Sequence, residues 1–379
     1  MARSRHGSKI KSTLGFLIYG NYGTGKSTIA LTLTRLKRED GKPFRVIYFD
    51  AENGSIDDYV DREVEEHDLN PENLWIVETQ SIKEIKEIVM AAAKGETLYE
   101  FGEDGNITDQ EILDGDGQPF KPDAIVLDST TVLYLADQMA KIEFSKKRAK
   151  VRNQGKKGEE MSVLEKTVKE EGAGLELKDY NTIRFDGVDL VLTLMRSGIN
   201  FALVSLDKDD TITSKDKQGN AIQIATGKKI ADGFKRLEAH VKTVIHTSED
   251  DYGELQAKVT SKDRTLVHKR GDILEDLTLE DWQEVIEKNK GRVAYNNVDG
   301  LSNSIKKDLQ LTEEKDSELK SGDVEDLTRE AMGYVKQLTA EQKKVLTPKL
   351  KEVGFTPNPK KLTTAKDLNK YIDIVKSVL

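Results

Sequence analysis

The chain has no cysteine among its 379 residues. That excludes a disulfide framework, a thiolate zinc site and a cysteine nucleophile, and it points to a reducing cytoplasm. No stretch approaches the ~18 apolar residues of a membrane span, so no membrane partner is expected. The opening MARSRHGSKIKS is basic but has no apolar segment behind it, unlike a secretory signal. The five histidines, His6, His67, His240, His246 and His268, are scattered without metal-binding spacing. A positive balance is missing too: 59 Lys plus Arg face 68 Asp plus Glu, for a net charge of −9. This argues against coating nucleic acid through bulk positive charge. What remains is a highly charged chain, 34% charged and 36% hydrophobic, with material for two or three domains and one large core.

Short apolar runs alternate with helical spacings. Residues 14–19, 45–49, 74–77, 123–127 and 200–206 read as buried strands, with 242–246 and 255–260 as later ones. Helices are expected over 28–37, 57–67, 82–93, 132–144 and 188–196, and residues 96–122 form an acidic, Gly-rich surface hairpin. Buried strands alternating with helices predict an α/β fold with a mostly parallel, doubly wound sheet. The organisation expected is a basic tail over 1–12, a core over 13–291, an acidic linker over 292–323 and a small basic helical domain over 324–379. In that last segment helices are expected over 324–337, 340–353 and 364–378.

Residues 20–27 read GNYGTGKS, a full match to GxxxxGK[ST], after an apolar strand and before a helix. Gly20, Asn21, Tyr22, Gly23, Thr24 and Gly25 would wrap backbone N–H groups around phosphate oxygens. Lys26 would reach the β- and γ-phosphates of ATP, Ser27 would ligate Mg²⁺, and Thr28 continues the loop into the helix. Asp128 ends the run DAIVLD, expected beside the P-loop strand, and is the second anchor for Mg²⁺. Asp50-Ala51-Glu52 closes the second strand, which is expected to neighbour the P-loop strand. Glu52 is the candidate to deprotonate the attacking water. Asp114-Gly115-Asp116-Gly117 lacks the further ligands of a calcium loop and reads as a turn.

These pieces, in the order GNYGTGKST, VIYFDAENGSIDDY and DAIVLDSTT, resemble the RecA-like P-loop ATPases. The resemblance covers about residues 13–290. It implies a RecA-like core with Glu52 as catalytic base, and it lets Tyr59 stack on adenine. The segment KVTSKDRTLVHK resembles the Lys-x-Arg element of that family, which maps to Lys262 and Arg264 reaching a neighbouring subunit's γ-phosphate. Such a cation supplied in trans makes turnover depend on a homo-oligomer, ring or filament. Residues 199–265 resemble phage-encoded Sak-type single-strand annealing recombinases and their AAA-domain relatives. The family places a polar sensor where Asp207 or Lys208 ends its strand, and this chain lacks the Gln of RecA-type proteins there.

The resemblance also implies two mobile loops that hold single-stranded DNA. One candidate spans 144–157, with Lys146, Lys147, Arg148, Lys150, Arg152, Lys156 and Lys157 and no acid among them. The other spans 208–229, a long polar segment expected to be disordered alone, with Lys215, Lys217, Lys228 and Lys229. Neither offers aromatic stacking. The function expected is a DNA-stimulated ATPase of phage-type recombination or replication, with other proteins of that machinery, such as a single-strand-binding protein, as partners. Two alternatives stay open: a hexameric helicase or helicase loader, and a nucleotide-switched assembly module with little turnover.

Overall fold

The computed structural model describes residues 11–102, 104–155, 163–216, 218–292, 306–310, 324–362 and 365–379. The expected tail and linker fall almost wholly outside them. The chain forms two compact units, one within Ser4–Val298 and one within Asp299–Leu379.

The larger unit runs β1 (Gly15–Gly20), α1 (Lys26–Leu31), β2 (Val46–Asp50), α2 (Asp57–His67), β3 (Leu74–Glu78) and α3 (Ile82–Lys94). The hairpin β4 (Tyr99–Phe101) and β5 (Ile107–Glu111) follows, then β6 (Ala124–Asp128). Three helices come next, α4 (Thr130–Gly155), α5 (Val163–Glu171) and α6 (Leu177–Ser197). The last stretch holds β7 (Asn200–Lys215), β8 (Ala221–Ala231), α7 (Leu237–His240), β9 (Thr243–Glu249), β10 (Leu255–Asp263), β11 (Ile273–Leu274) and α8 (Gln283–Lys288). The main sheet has nine strands in the order β11-β10-β9-β1-β7-β6-β2-β3, with β8 paired to β7. From β9 to β3 every pairing is parallel, while β10, β11 and β8 join antiparallel.

Strand alternation sends side chains to both faces of the sheet. Leu17, Ile47, Phe49, Ile125, Leu127 and Leu203 join Ile85, Val89, Leu190 and Leu194 of α3 and α6. Phe16, Ile18, Tyr48, Val126 and Val204 join Ile29 and Leu31 of α1 with Trp282 and Ile286. Both faces are covered, so the central strands read as continuous apolar runs rather than alternating ones.

Several expectations change. The strand order places β7 and β6 between β1 and β2, so neither the Glu52 strand nor the Asp128 strand touches the P-loop strand. The first helix starts at Lys26 and gives way to a 3₁₀ turn at Thr32–Arg35. There the Thr32 and Thr34 hydroxyls donate back to the carbonyls of Ile29 and Leu31. The basic segment expected as a mobile loop is helical as far as Gly155, because its Lys, Arg and Ala continue the preceding helix. The segment expected to be disordered is an antiparallel hairpin, paired from Asp207↔Ala231 to Lys215↔Ala221. Its reversal is set by the Asp216 carboxylate, which accepts from the N–H groups of Gln218 and Asn220, and by Gly219 at φ 87°.

In the smaller unit, residues 306–310 are helical, and α9 (Val324–Gln337), α10 (Ala340–Glu352) and α11 (Ala365–Lys376) follow among the described residues. Their core is Ala331, Leu338, Leu346, Leu350, Tyr371, Ile372 and Val375. Among the described residues no helix is long and apolar enough to cross a membrane.

Candidate nucleotide-binding site

In a parallel sheet the carboxyl ends of the strands share one edge, where ligands bind. Gly20 lies in register with Leu206 and Thr247, and Asp50 lies in register with Asp128 and Glu78. The P-loop, Asp50 and Asp128 therefore reach the same edge although two strands separate β1 from β2.

The loop itself is shaped by its glycines. Gly23 and Gly25 adopt φ of 73° and 78°, the left-handed region that favours glycine. A Cβ on Gly20 would sit 2.2 Å from both the carbonyl oxygen and Oγ1 of Thr247, so no larger residue fits. The Thr24 hydroxyl is 2.7 Å from that of Thr247 and donates to the Asn21 carbonyl. The Lys26 ammonium donates to the Asn21 carbonyl oxygen at 2.5 Å and is buried. Burial pushes its pKa down, against the pull of Asp128, Glu52 and Asp207. An ammonium held this way, with carboxylates beyond hydrogen-bonding reach, is set to exchange a carbonyl for a phosphate oxygen.

Asp128 is 1% exposed, and Tyr48 donates its hydroxyl to Asp128 Oδ2 at 2.5 Å. Burial pushes the Asp128 carboxyl up to about 6; hydrogen bonding from Ser27 and Tyr48 opposes this, and the charges of Glu52 and Asp50 add to it. Ser27 and Asp128 are thus within hydrogen-bonding reach of each other, and the Asp128 charge acts on Lys26. This fits Mg²⁺, which binds through one or two protein oxygens plus substrate phosphates rather than a full protein cage. No cluster of three or more His, Cys, Asp or Glu is arranged to hold a metal among the described residues.

Asp50 organises the turn that carries Glu52. Its buried carboxylate accepts from the N–H groups of Glu52 (2.9 Å), Gly54 (2.6 Å) and Ser55 (3.0 Å) and from the Ser55 hydroxyl (3.1 Å). Glu52 is left exposed, close enough for its charge to act on Lys26 and Asp128. Tyr59, 42% exposed, lies in the first turn of α2 just beyond, and Tyr22 of the loop is 77% exposed. Sequence reasoning missed Tyr48 and Asp50. A phenol inside a fully buried strand was the available signal for Tyr48, because its hydroxyl must find a partner.

Other candidates lie elsewhere. Asp263 pairs with Thr243, which lies beside Phe16 at the start of β1, so Lys262 and Arg264 occupy the sheet edge opposite their own P-loop. The Asp263 carboxylate between them accepts from Thr243, Thr265, Val267 and His268 and fixes the turn. Burial, then the adjacent Arg264, pushes Lys262 down from its ordinary pKa. On α4, Arg148 forms a fork with Asp179 at 2.9 and 2.5 Å, Arg152 meets Glu176 at 2.8 Å, and Lys146 meets Glu143 and Glu171. Lys147 and Lys150 carry no ion pair among the described residues. In the hairpin Lys229 pairs with Asp209, whereas Lys215 and Lys228 are exposed. Lys156, Lys157 and Lys217 lie outside the described residues. Asp207, where β7 leaves the sheet, is 3.1 Å from His246 Nε2, and Lys208 pairs with Asp232.

No protein-family model matches the chain, and no curated protein does. Among solved structures, a KaiC-like protein of the hyperthermophilic archaeon Pyrococcus horikoshii is similar at 13% identity, over 70% of this chain and 83% of that one. The TM-score of 0.34 is too low for that likeness to bear on activity or partners, so the reading of the site rests on its own geometry.

Proposed function

We propose that this chain is an ATP-hydrolysing P-loop protein of the RecA type that turns over in an assembly and acts on DNA in recombination or replication. The supporting observation is the meeting of a complete GNYGTGKS loop, through Ser27, with the buried Asp128 at one sheet edge. In this reading the loop N–H groups and Lys26 bind the β- and γ-phosphates. Mg²⁺, held by Ser27 and Asp128, would neutralise charge on those phosphates. Glu52 takes the proton of the attacking water. The water oxygen bonds to the γ-phosphorus as the bond from that phosphorus to the β,γ-bridging oxygen breaks, and ADP and phosphate leave. Tyr59 stacks on the base in this reading.

Lys262 and Arg264 lie away from the P-loop of their own chain, and in this reading they reach the γ-phosphate of a neighbouring copy. That placement favours a ring or filament of copies. It equally favours the reading of a nucleotide-switched module, which would bind ATP tightly and hydrolyse little. The test is the ATPase rate of wild type and Lys26→Ala, with and without single-stranded DNA, alongside mass by light scattering with ATP and Mg²⁺. Hydrolysis is expected to vanish in Lys26→Ala, and a variant as active as wild type refutes the site. A monomer in every nucleotide state with no DNA effect removes the DNA and assembly parts. Tight ATP binding and assembly without turnover selects the switch.

A further inference from the structure

We infer that the small C-terminal unit is the chain's principal surface for nucleic-acid backbone, formed by α10, α11 and the turn between them. The inference deepens the DNA part of the function proposed above and is independent of ATP hydrolysis. Residues 324–379 carry eleven Lys plus Arg against seven Asp plus Glu, a surplus of four, so the rest of a chain at −9 stands at −13. Within residues 343–370 the bias sharpens to eight lysines against two acids, Glu352 and Asp367.

The lysines are placed by ordered structure. Lys344 and Lys351, seven residues apart, lie on the α10 face opposite buried Leu346 and Leu350. Lys366 and Lys370, four apart, are exposed on α11, whose buried face is Leu368, Tyr371, Ile372 and Val375. The turn joining the helices is tied down by the Tyr371 hydroxyl, which donates to the Pro357 carbonyl at 2.7 Å. The Asn358 side chain accepts from the Lys360 N–H at 3.1 Å, which sets Lys360 and Lys361 in a short 3₁₀ turn leading to α11. None of these six lysines is in an ion pair among the described residues. By contrast, the arginines of the α4 cluster are held by Asp179 and Glu176, and Lys146 by Glu143 and Glu171.

The partner class follows from what accompanies the charge. A protein-docking surface has an apolar, well-packed centre. Among the described residues of 324–379, Val345, Val353 and Leu379 are the only large hydrophobics exposed. A lysine surface without aromatic or apolar anchors suits a polyanionic backbone, bound without sequence preference and released by salt.

The test uses the full-length chain and fluorescence anisotropy with a labelled dT oligonucleotide, a duplex of equal length serving as second probe, across a salt series. The quadruple variant Lys360→Gln, Lys361→Gln, Lys366→Gln, Lys370→Gln is compared with wild type and with the control Lys147→Gln, Lys150→Gln. The C-terminal variant should bind about tenfold or more weakly at low salt, with a salt slope flatter by roughly 0.7 per lost single-strand contact. The control should bind like wild type, and all three should keep the same melting temperature and DNA-free ATPase rate. Unchanged affinity and slope in the quadruple variant overturn the inference. So does a control that loses binding when the quadruple variant does not, though DNA binding then stands. If wild type binds neither probe at low salt, this inference and the DNA part of the proposed function fall together, and the ATP reading, tested by Lys26→Ala, is unaffected.

Discussion

Asp128 connects function to stability in a measurable way. Its carboxyl is raised from an ordinary value near 3.8 to about 6, chiefly by burial. Between those values the folded state binds more protons than the unfolded state, so stability falls as pH rises through this window. The contribution is fully present below the unfolded value and lost above about 6. A shift of about 2 units corresponds to about 3 kcal/mol at neutral pH. Asp128→Asn removes the ionisation and keeps an oxygen that can accept from Tyr48, at some loss in hydrogen-bond strength because the acceptor is no longer charged. In chelator at pH 7.5 the variant should therefore be more stable than wild type by about 1–3 kcal/mol. The gap should close toward pH 4, where wild-type Asp128 is protonated too. Urea denaturation of both proteins at several pH values reads the difference, and titrations common to both cancel. Mg²⁺ with ATP should then raise the wild-type melting temperature, leave the variant's unmoved, and find the variant inactive. A stability difference that does not change with pH, or a variant less stable than wild type at pH 7.5, refutes the reasoning.

Three other outcomes are expected. Gly20→Ala places a Cβ 2.2 Å from Thr247 and should abolish nucleotide binding, read by calorimetric titration with a non-hydrolysable ATP analogue. Asp50→Ala removes the acceptor of four hydrogen bonds from the turn carrying Glu52. It should lower kcat with little change in KM and cost about 2 kcal/mol or more in stability, whereas Glu52→Gln should lower kcat at unchanged stability. Lys242 is pushed down to about 8 by burial, and its ammonium donates to the Ser12 hydroxyl and the Thr13 carbonyl, with no carboxylate partner among the described residues. The unfolded lysine keeps its proton to higher pH, so stability should rise as pH climbs from about 8 to about 10.5, by up to about 3 kcal/mol. Denaturation curves should show that rise missing in Lys242→Met.

The P-loop was legible because its chemistry is local. Eight consecutive residues, with a strand before and a helix after, carry the whole pattern, and glycine is the residue favoured in the left-handed turns at Gly23 and Gly25. Asp128 was legible as the polar end of an apolar run, and α2 was legible to the residue from its spacing. The basic segment of α4 shows where this reading stops. It contains no acid, yet Arg148 and Arg152 are neutralised by Glu176 and Asp179 from a helix start about two dozen residues or more away. A charge count along a window cannot see a partner brought in by packing. The same holds for Tyr48, whose hydroxyl meets Asp128 only because β2 and β6 are neighbours in register.

By itself, then, the sequence determined the glycine-rich loop between β1 and α1, the alternation of buried strands and helices, the missing thiol chemistry and the lysine surplus after residue 324. Each depends on neighbours within a few residues or on composition. Only the tertiary structure decided that β7 and β6 separate the P-loop strand from the Glu52 strand, that Asp50 builds the turn presenting Glu52, and that Lys262 and Arg264 stand at the opposite edge of the sheet. Strand order is set by which crossover buries the most apolar surface, and charges pair by where those crossovers bring them.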